Sequence, residues 1–258
     1  PRQPKVRHRL RTFLAGCVAI ASVTAFVVFS PWHRASSPGT PEAPAQTYRT
    51  EPGQRAQFAL PDGSQVILGP ESRLAYFGSA DRGARAVELQ GEAVFTVDHV
   101  PDRPFTVTAG ALATQVLGTE FIVRAYPEDR SARVAVRDGK VAFGVGAPST
   151  ILVAGDVGKV AEDNLVQVSR DVALSEIDAW RRGEFVLDET PLQEIAREIE
   201  RQYGVHVRIA DPTLGDRKLT LAFTGQSLRG ILSVITTVLD AAYAYDGNTI
   251  VVSTTHSR

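Results

Sequence analysis

The chain has 258 residues and a formal net charge of −1, and five of its 28 basic residues but none of its 29 acidic residues precede residue 12. The acidic remainder argues against a nucleic-acid partner, which would need a basic surface. The single cysteine, Cys17, excludes an internal disulfide framework. This length suffices for a membrane segment and one or two small domains.

The first predicted element is a transmembrane helix over residues 12–32, which contain no charged side chain. A helix of roughly 20 apolar residues crosses a bilayer core. The basic residues within 1–11 predict a cytoplasmic tail, with everything after Trp32 on the periplasmic side. The sequence therefore predicts a single-pass protein of the inner membrane with its N-terminus in the cytoplasm.

A cleaved signal peptide is the main alternative for this stretch. Its apolar region would run about 7–15 residues and end at a small-residue site, but the nearest such site, Ala43-Pro44-Ala45, lies well beyond the apolar run. A buried core helix is disfavoured because the stretch has no amphipathic period. The segment Leu14–Cys17 has the form of a lipoprotein processing box, but the apolar run continues after Cys17.

The next two segments are predicted to be a linker and an all-β domain. Residues 33–50 are rich in Pro, Ser, Ala and Thr, which favours an extended tether. Residues 51–170 alternate apolar and polar residues over short runs, which predicts ten or more strands in a sandwich or a solenoid-like stack. Asp62-Gly63 and Asp138-Gly139 are typical of tight hairpins.

Residues 171–182 are interpreted as a connector and residues 183–258 as a small α+β module of order β-α-β-β-α-β-β. Thr190 is predicted to cap the first helix, with Pro191 at its first position and Gly204 at its end. Ser227 is predicted to cap the second helix. The buried face of that helix is predicted to hold Leu228, Ile231, Leu232, Ile235, Val238 and Leu239. Asp246-Gly247 is predicted to turn the final hairpin.

The chain shows no conventional active site. Its histidines, at positions 8, 33, 99, 206 and 256, have no metal-ligand spacing. Asp98 and His99 precede Pro101, which favours a solvated loop over a catalytic pair. No complete dinucleotide, phosphate-loop or nucleophile-elbow motif occurs. The sequence therefore predicts no metal, no cofactor and no enzyme of an ordinary class.

Several motifs, in order and spacing, resemble the FecR-type transmembrane sigma-factor regulators from about Glu51 to the end of the chain. They are Asp62–Ser64, Val87–Val97, Arg103–Val107, Val116–Val123 and Ala179–Gly183 followed by Thr190–Leu192. The last part of the chain also resembles the short N-terminal domain of secretins and TonB receptors. Gly91 and Gly183 are interpreted as turn or bulge glycines, and Phe95, Phe105 and Phe121 as core residues.

The resemblance implies a signalling role in Gram-negative bacteria. Such proteins receive a signal from a TonB-dependent receptor, often for iron or siderophore uptake, and regulate an extracytoplasmic-function sigma factor. Only Pro1–Arg11 precede the predicted span, so sigma binding is expected only through a cytoplasmic part missing from this sequence. The alternative is a membrane-anchored periplasmic scaffold or binding module without a sigma-factor role. The receptor contact is expected on residues 183–252, at an exposed strand such as Val205–Ile209 or Thr249–Val252.

The resemblance also implies a candidate covalent reaction at Gly118-Thr119, because some members of the family cleave themselves in this Leu-Gly-Thr-x-Phe setting. The Thr119 hydroxyl would attack the Gly118 carbonyl to give an ester that water hydrolyses, and Gly118 would tolerate a strained backbone. The structural alternative is that Thr119 simply opens a strand. No general base can be named from the sequence, because none of the five histidines is near Gly118-Thr119 in sequence.

Overall fold

The computed structural model describes residues 46–78, 84–129, 131–161, 163–173 and 184–255. The predicted tail, the predicted transmembrane segment, most of the linker and Gly183 lie outside these residues. Within the described part, no helix is both long and apolar enough to span a membrane.

The first part of the described chain, here called the β domain, consists of strands without a helix in its described residues, as predicted. Its thirteen strands are β1 (Gln46–Arg49), β2 (Ala56–Ala59), β3 (Gln65–Leu68), β4 (Arg73–Gly78), β5 (Arg85–Val97), β6 (Phe105–Ala109), β7 (Leu112–Val116), β8 (Thr119–Ala125), β9 (Ser131–Asp138), β10 (Lys140–Val145), β11 (Thr150–Val153), β12 (Val157–Ala161) and β13 (Val166–Ser169).

Strand β5 belongs to both halves of a single curled sheet. Its residues up to Gln90 pair with β4 and β6, and its residues from Gly91 pair with β3 and β8. Gly91 has φ +109, and the Ser72 side chain occupies the space that a Cβ would need. Only glycine permits this bend. The first half-sheet runs β1-β4-β5-β6-β7-β10-β11 and the second β2-β3-β5-β8-β9-β12-β13.

The two half-sheets enclose one core, which resolves the two predicted architectures in favour of a sandwich-like packing. Phe95, Phe105 and Phe121 are fully buried, as predicted. The Phe95 ring lies 5.8 Å from the Phe105 ring and 5.2 Å from the Phe121 ring. Burial of each such side chain contributes roughly 1.5–3 kcal/mol to stability, so this aromatic cluster fixes how the halves face each other.

The predicted hairpin at Asp138-Gly139 is wrong. Strand β9 pairs with β8 and β12, whereas β10 pairs with β7 and β11. The chain therefore crosses from one half-sheet to the other at Gly139, whose φ is +85. Asp62-Gly63 does lie between the paired strands β2 and β3, although only Gly63 has the positive φ expected of both residues.

The last part of the chain, here called the C-terminal module, follows the predicted order with one addition. Its elements are β14 (Phe185–Pro191), α1 (Leu192–Tyr203), β15 (His206–Ile209), α2 (Pro212–Gly215), β16 (Lys218–Phe223), α3 (Leu228–Leu239), β17 (Ala241–Asp246) and β18 (Thr249–Thr254). They form a β14-β16 sheet and a β15-β18-β17 sheet. Helix α2 escaped prediction because four residues show no helical period.

The Thr190 cap is also wrong. Its hydroxyl bonds the backbone of Asp188, and Pro191 is the N-cap of α1 without a side-chain bond. The Gly204 stop and the Ser227 cap are confirmed.

Two details of the module's last elements differ from the prediction. Val238 is 50% exposed rather than buried, and Leu228 is half-buried, whereas Ile231, Leu232, Ile235 and Leu239 are buried as predicted. The final turn is formed by Gly247 and Asn248, since Asp246 still belongs to β17.

Candidate functional site

Gly118 and Thr119 lie where the chain enters β8. Thr119 is the first residue of this strand, pairs with Val97 of β5, and is only 4% exposed. Its hydroxyl donates a 2.8 Å hydrogen bond to the Lys140 carbonyl. Thr119 therefore opens a strand, as the structural alternative predicted, while cleavage of the peptide bond before it stays a prediction.

Gly139 packs closely against this peptide bond. A Cβ on Gly139 would lie 2.9 Å from both the Gly118 carbonyl oxygen and the Thr119 hydroxyl oxygen. Contacts under 3.0 Å to a Cβ essentially never occur in proteins. The glycine at the crossing between the half-sheets therefore allows β10 to reach the candidate cleavage site.

The strained backbone expected at Gly118 is absent, because its φ lies outside the left-handed region. Glycine is required here because a side chain at this position would not fit. A Cβ here would lie 2.6 Å from the Cα and Cβ atoms of His99 and 2.7 Å from its Nδ1. His99 therefore occupies the volume that a side chain at position 118 would fill.

His99 is the residue that sequence reasoning missed at this site. It lies in an exposed loop, as predicted, but the Val100 N–H donates a 2.9 Å hydrogen bond to the Leu117 carbonyl. This bond aligns the loop with the segment that leads into Thr119. No local sequence signal would have revealed this contact, because it follows from the β5–β8 register, which places Val97 opposite Thr119.

The buried side chain of Arg85 holds the loop that contains His99. Arg85 is 2% exposed, and its Nε lies 2.7 Å from Asp62 Oδ2. Its remaining nitrogens donate to the carbonyls of Asp98 at 3.1 Å and Arg103 at 2.9 Å. The guanidinium thus bonds the loop near both ends and fixes the position of the intervening His99.

A second cluster joins the β domain to α1 of the C-terminal module. Arg124, in β8, lies 2.6 Å from Glu198 and 3.4 Å from Glu92. Arg201, one turn after Glu198, pairs with Glu128 at 2.5 Å. This cluster is an ionic contact between two folded parts of the chain.

The carboxylates of the cluster titrate differently. Burial alone would raise the pKa of Glu198, but the charge and hydrogen bond of Arg124 outweigh it and lower the pKa to about 2. Burial raises the pKa of Glu92, although Arg124 partly opposes this. Glu198 is therefore the carboxylate whose ionised form this interface stabilises most clearly.

The sheet edges of the C-terminal module differ from each other. Strand β18 lies between β15 and β17, so the candidate edge Thr249–Val252 is central. The other candidate, β15, is an edge, but the Val207 N–H already donates to Glu200 Oε1 at 2.8 Å. One edge of β17 pairs with β18, and its other edge pairs with no strand in the described part of the chain.

The described residues contain no group of three or more His, Cys, Asp or Glu side chains that could hold a metal ion. The structure therefore gives no candidate metal centre within the residues it describes.

Comparison with known proteins identifies the fold. The family model for FecR protein matches residues 46–142, and the model for FecR, C-terminal, matches residues 184–252. Two crystal structures of a candidate anti-sigma factor from Parabacteroides distasonis ATCC 8503, at 1.65 and 2.50 Å resolution, each superpose with a TM-score of 0.74. Both are 27% identical to this chain and cover 81% of it and 99% of their own length. No curated protein sequence matches. Since the two models together match more than half of the residues in the order of a FecR protein, the chain belongs to the FecR family.

Proposed function

We propose that this protein regulates an extracytoplasmic-function sigma factor. It receives its signal in the periplasm from the signalling domain of a TonB-dependent outer-membrane receptor, as in uptake of iron or siderophores. The observation that carries the proposal is the pairing of both FecR domains in one chain that resembles a candidate anti-sigma factor over 81% of its length.

The proposal includes a single membrane crossing by residues 12–32, which carry no charge and follow five basic residues. Alkaline phosphatase fused after Arg258 should be active, because this enzyme folds only in the periplasm. Replacing Ile20 with Arg should impair insertion, at about 2.5–3.5 kcal/mol for a charge at the helix centre. Activity of a cytoplasm-only reporter at the same position would overturn this topology.

The receptor contact is assigned to the C-terminal module at β17. One edge of this strand pairs with no strand among the described residues, and Asp246 is its only charged residue. Exposed edges of this kind accept a partner strand through backbone hydrogen bonds. The two-residue turn after Asp246 makes Asp246 and Thr249 a hydrogen-bonded pair, so alternation directs the N–H of Tyr245 away from β18.

Two substitutions at Tyr245 test this contact. Tyr245→Pro removes the outward N–H and should abolish binding to the signalling domain of the TonB-dependent receptor encoded nearest to this gene. Tyr245→Ala keeps the N–H and should retain most of the binding, measured by calorimetry with the full chain in detergent. Equal binding by both variants would exclude β17. Absence of binding by the unsubstituted chain would favour the scaffold alternative.

Self-cleavage between Gly118 and Thr119 is a second candidate activity, favoured by the close packing of Gly139 and His99 around this peptide bond. The Thr119 oxygen would attack the Gly118 carbonyl carbon while the hydroxyl proton passes to the Thr119 nitrogen. The C–N bond then breaks, leaving an ester that water hydrolyses.

Cleavage would divide the chain into residues 1–118 and 119–258. The test is the full chain in detergent, followed by mass spectrometry. Thr119→Ala should remain intact, because it lacks the nucleophile, and Thr119→Ser should still be cut. A wild-type chain that stays whole would leave Thr119 as an ordinary strand residue.

A further inference from the structure

We infer that His99 is the general base of the proposed cleavage and activates the water that hydrolyses the ester at Gly118. The inference rests on the proposed self-cleavage and adds a catalytic residue to it. It is carried by the position of the imidazole, which no local feature of the sequence indicated.

The imidazole reaches the reacting carbon through one water. Nδ1 lies 2.7 Å from the place that a Cβ of Gly118 would occupy. A Cβ and the carbonyl carbon of one residue are about 2.5 Å apart, so Nδ1 is at most about 5 Å from the scissile carbon. This distance suits a general base that acts through a single bridging water.

Solvent access separates the roles of His99 and Thr119. His99 is exposed, so water reaches its ring, whereas Thr119 is 4% exposed and its hydroxyl bonds the Lys140 carbonyl. The nucleophile of the first step is therefore protected from water, and the base of the second step is not. We therefore expect the hydrolytic water to approach the Gly118 carbonyl carbon from the side on which His99 lies.

Two independent contacts hold the base in place. The Val100 N–H bonds the Leu117 carbonyl at 2.9 Å, and Arg85 bonds the Asp98 carbonyl at 3.1 Å. The two anchored residues, Asp98 and Val100, flank His99 in the chain. Arg85 itself is buried and paired with Asp62. An exposed loop anchored by a buried ion pair keeps its geometry, which a general base requires.

Hydrolysis of the ester at Gly118 consumes only water. His99 takes a proton from water as the water oxygen bonds to the Gly118 carbonyl carbon. The bond from this carbon to the Thr119 oxygen then breaks, and the imidazolium returns the proton to that oxygen. The products are a carboxyl group at Gly118 and a free amine and hydroxyl at Thr119.

The test uses the full chain in detergent, with His99→Gln as the variant and His206→Gln as the matched control, since the His206 side chain is 77% exposed and far along the chain. Fragments of residues 1–118 and 119–258 should appear about 100-fold more slowly in His99→Gln, the low end of the effect of a general base. His206→Gln should match the wild type. Hydroxylamine attacks an ester directly, so it should restore cleavage of His99→Gln to the wild-type rate.

Each result is diagnostic. Cleavage of His99→Gln at the wild-type rate in plain buffer would overturn the role of His99 while leaving the cleavage itself standing. Slow cleavage that hydroxylamine does not restore would also overturn it, because the ester would then not have formed. A wild-type chain that resists both water and hydroxylamine would instead refute the proposed cleavage.

Discussion

Arg124 of the β domain and Glu198 of the C-terminal module form a 2.6 Å ion pair across the boundary between them. The guanidinium carbons of Arg124 and Arg201 lie 4.8 and 4.0 Å from the centre of the Tyr126 ring. The Gly53 N–H also donates to the Arg201 carbonyl at 2.6 Å. Helix α1 is therefore bound to two separate segments of the β domain.

Loss of Arg124 should destabilise the protein strongly. Arg124→Met leaves the carboxylates of Glu198 and Glu92 without their main partner, which costs about 3–5 kcal/mol for buried pairs. Urea denaturation of the full chain measures this loss. The control is Arg137→Met, whose side chain is 39% exposed beside Glu120 and which should cost no more than about 1 kcal/mol. Equal losses of stability in the two variants would show that the Arg124 contacts are no stronger than the exposed Arg137–Glu120 pair.

Acid should weaken the interface through Glu198. Because its pKa is lowered from 4.5 to about 2, the folded state binds this proton less readily than the unfolded state. The resulting stability is present above pH 4.5 and is lost as the pH falls toward 2, by up to about 3 kcal/mol. The raised pKa of Glu92 acts in the opposite direction.

The matching variant is Glu198→Gln, compared with wild type by chemical denaturation from pH 6 downwards. The stability difference between the two proteins should shrink as the pH falls through this range, since only the wild type loses an ionised Glu198. A difference that stays constant with pH would contradict the assignment.

Gly118→Ala should destabilise the protein even though Gly118 has an ordinary backbone. The new Cβ would lie 2.6 Å from the His99 Cα, and backbone must move to relieve it, which costs roughly 1–3 kcal/mol. Gly215→Ala is the control, because the nearest atom to its Cβ is 3.9 Å away. Thermal unfolding of both variants provides the measurement, and equal melting temperatures would argue against this packing.

Arg85→Lys should loosen the loop that carries His99. Lysine keeps the charge but cannot bond Asp62 and the carbonyls of Asp98 and Arg103 together. Hydrogen exchange at the Val100 amide should accelerate by at least about tenfold, a local loss of roughly 1.4 kcal/mol. The same change at the exposed Arg73 should leave this amide unaffected. Unchanged exchange in Arg85→Lys would mean that the loop does not depend on the guanidinium.

Local patterns determined much of this fold. The alternation of apolar and polar residues within 51–170 predicted strands with one buried face, and Val134 and Val136 lie in the core accordingly. Ser227 and Gly204 marked helix ends through bonds or φ values that depend only on neighbouring residues. The mixture of β domain and α+β module followed from such patterns, because strand and helix periods are properties of a few successive side chains. The Leu-Gly-Thr motif likewise drew attention to Thr119.

Tertiary structure decided what lies beside that motif. Asp138-Gly139 has the composition of a hairpin, yet its strands join different half-sheets, because each pairs better with a distant strand than with its neighbour. The pairing of β5 with β8 places Val97 opposite Thr119 and so brings His99 to Gly118. Arg85, in the other half of β5, is buried and bonds the loop that carries His99. Contacts between residues far apart in sequence depend on register and on the packing of whole sheets, and no local pattern records them.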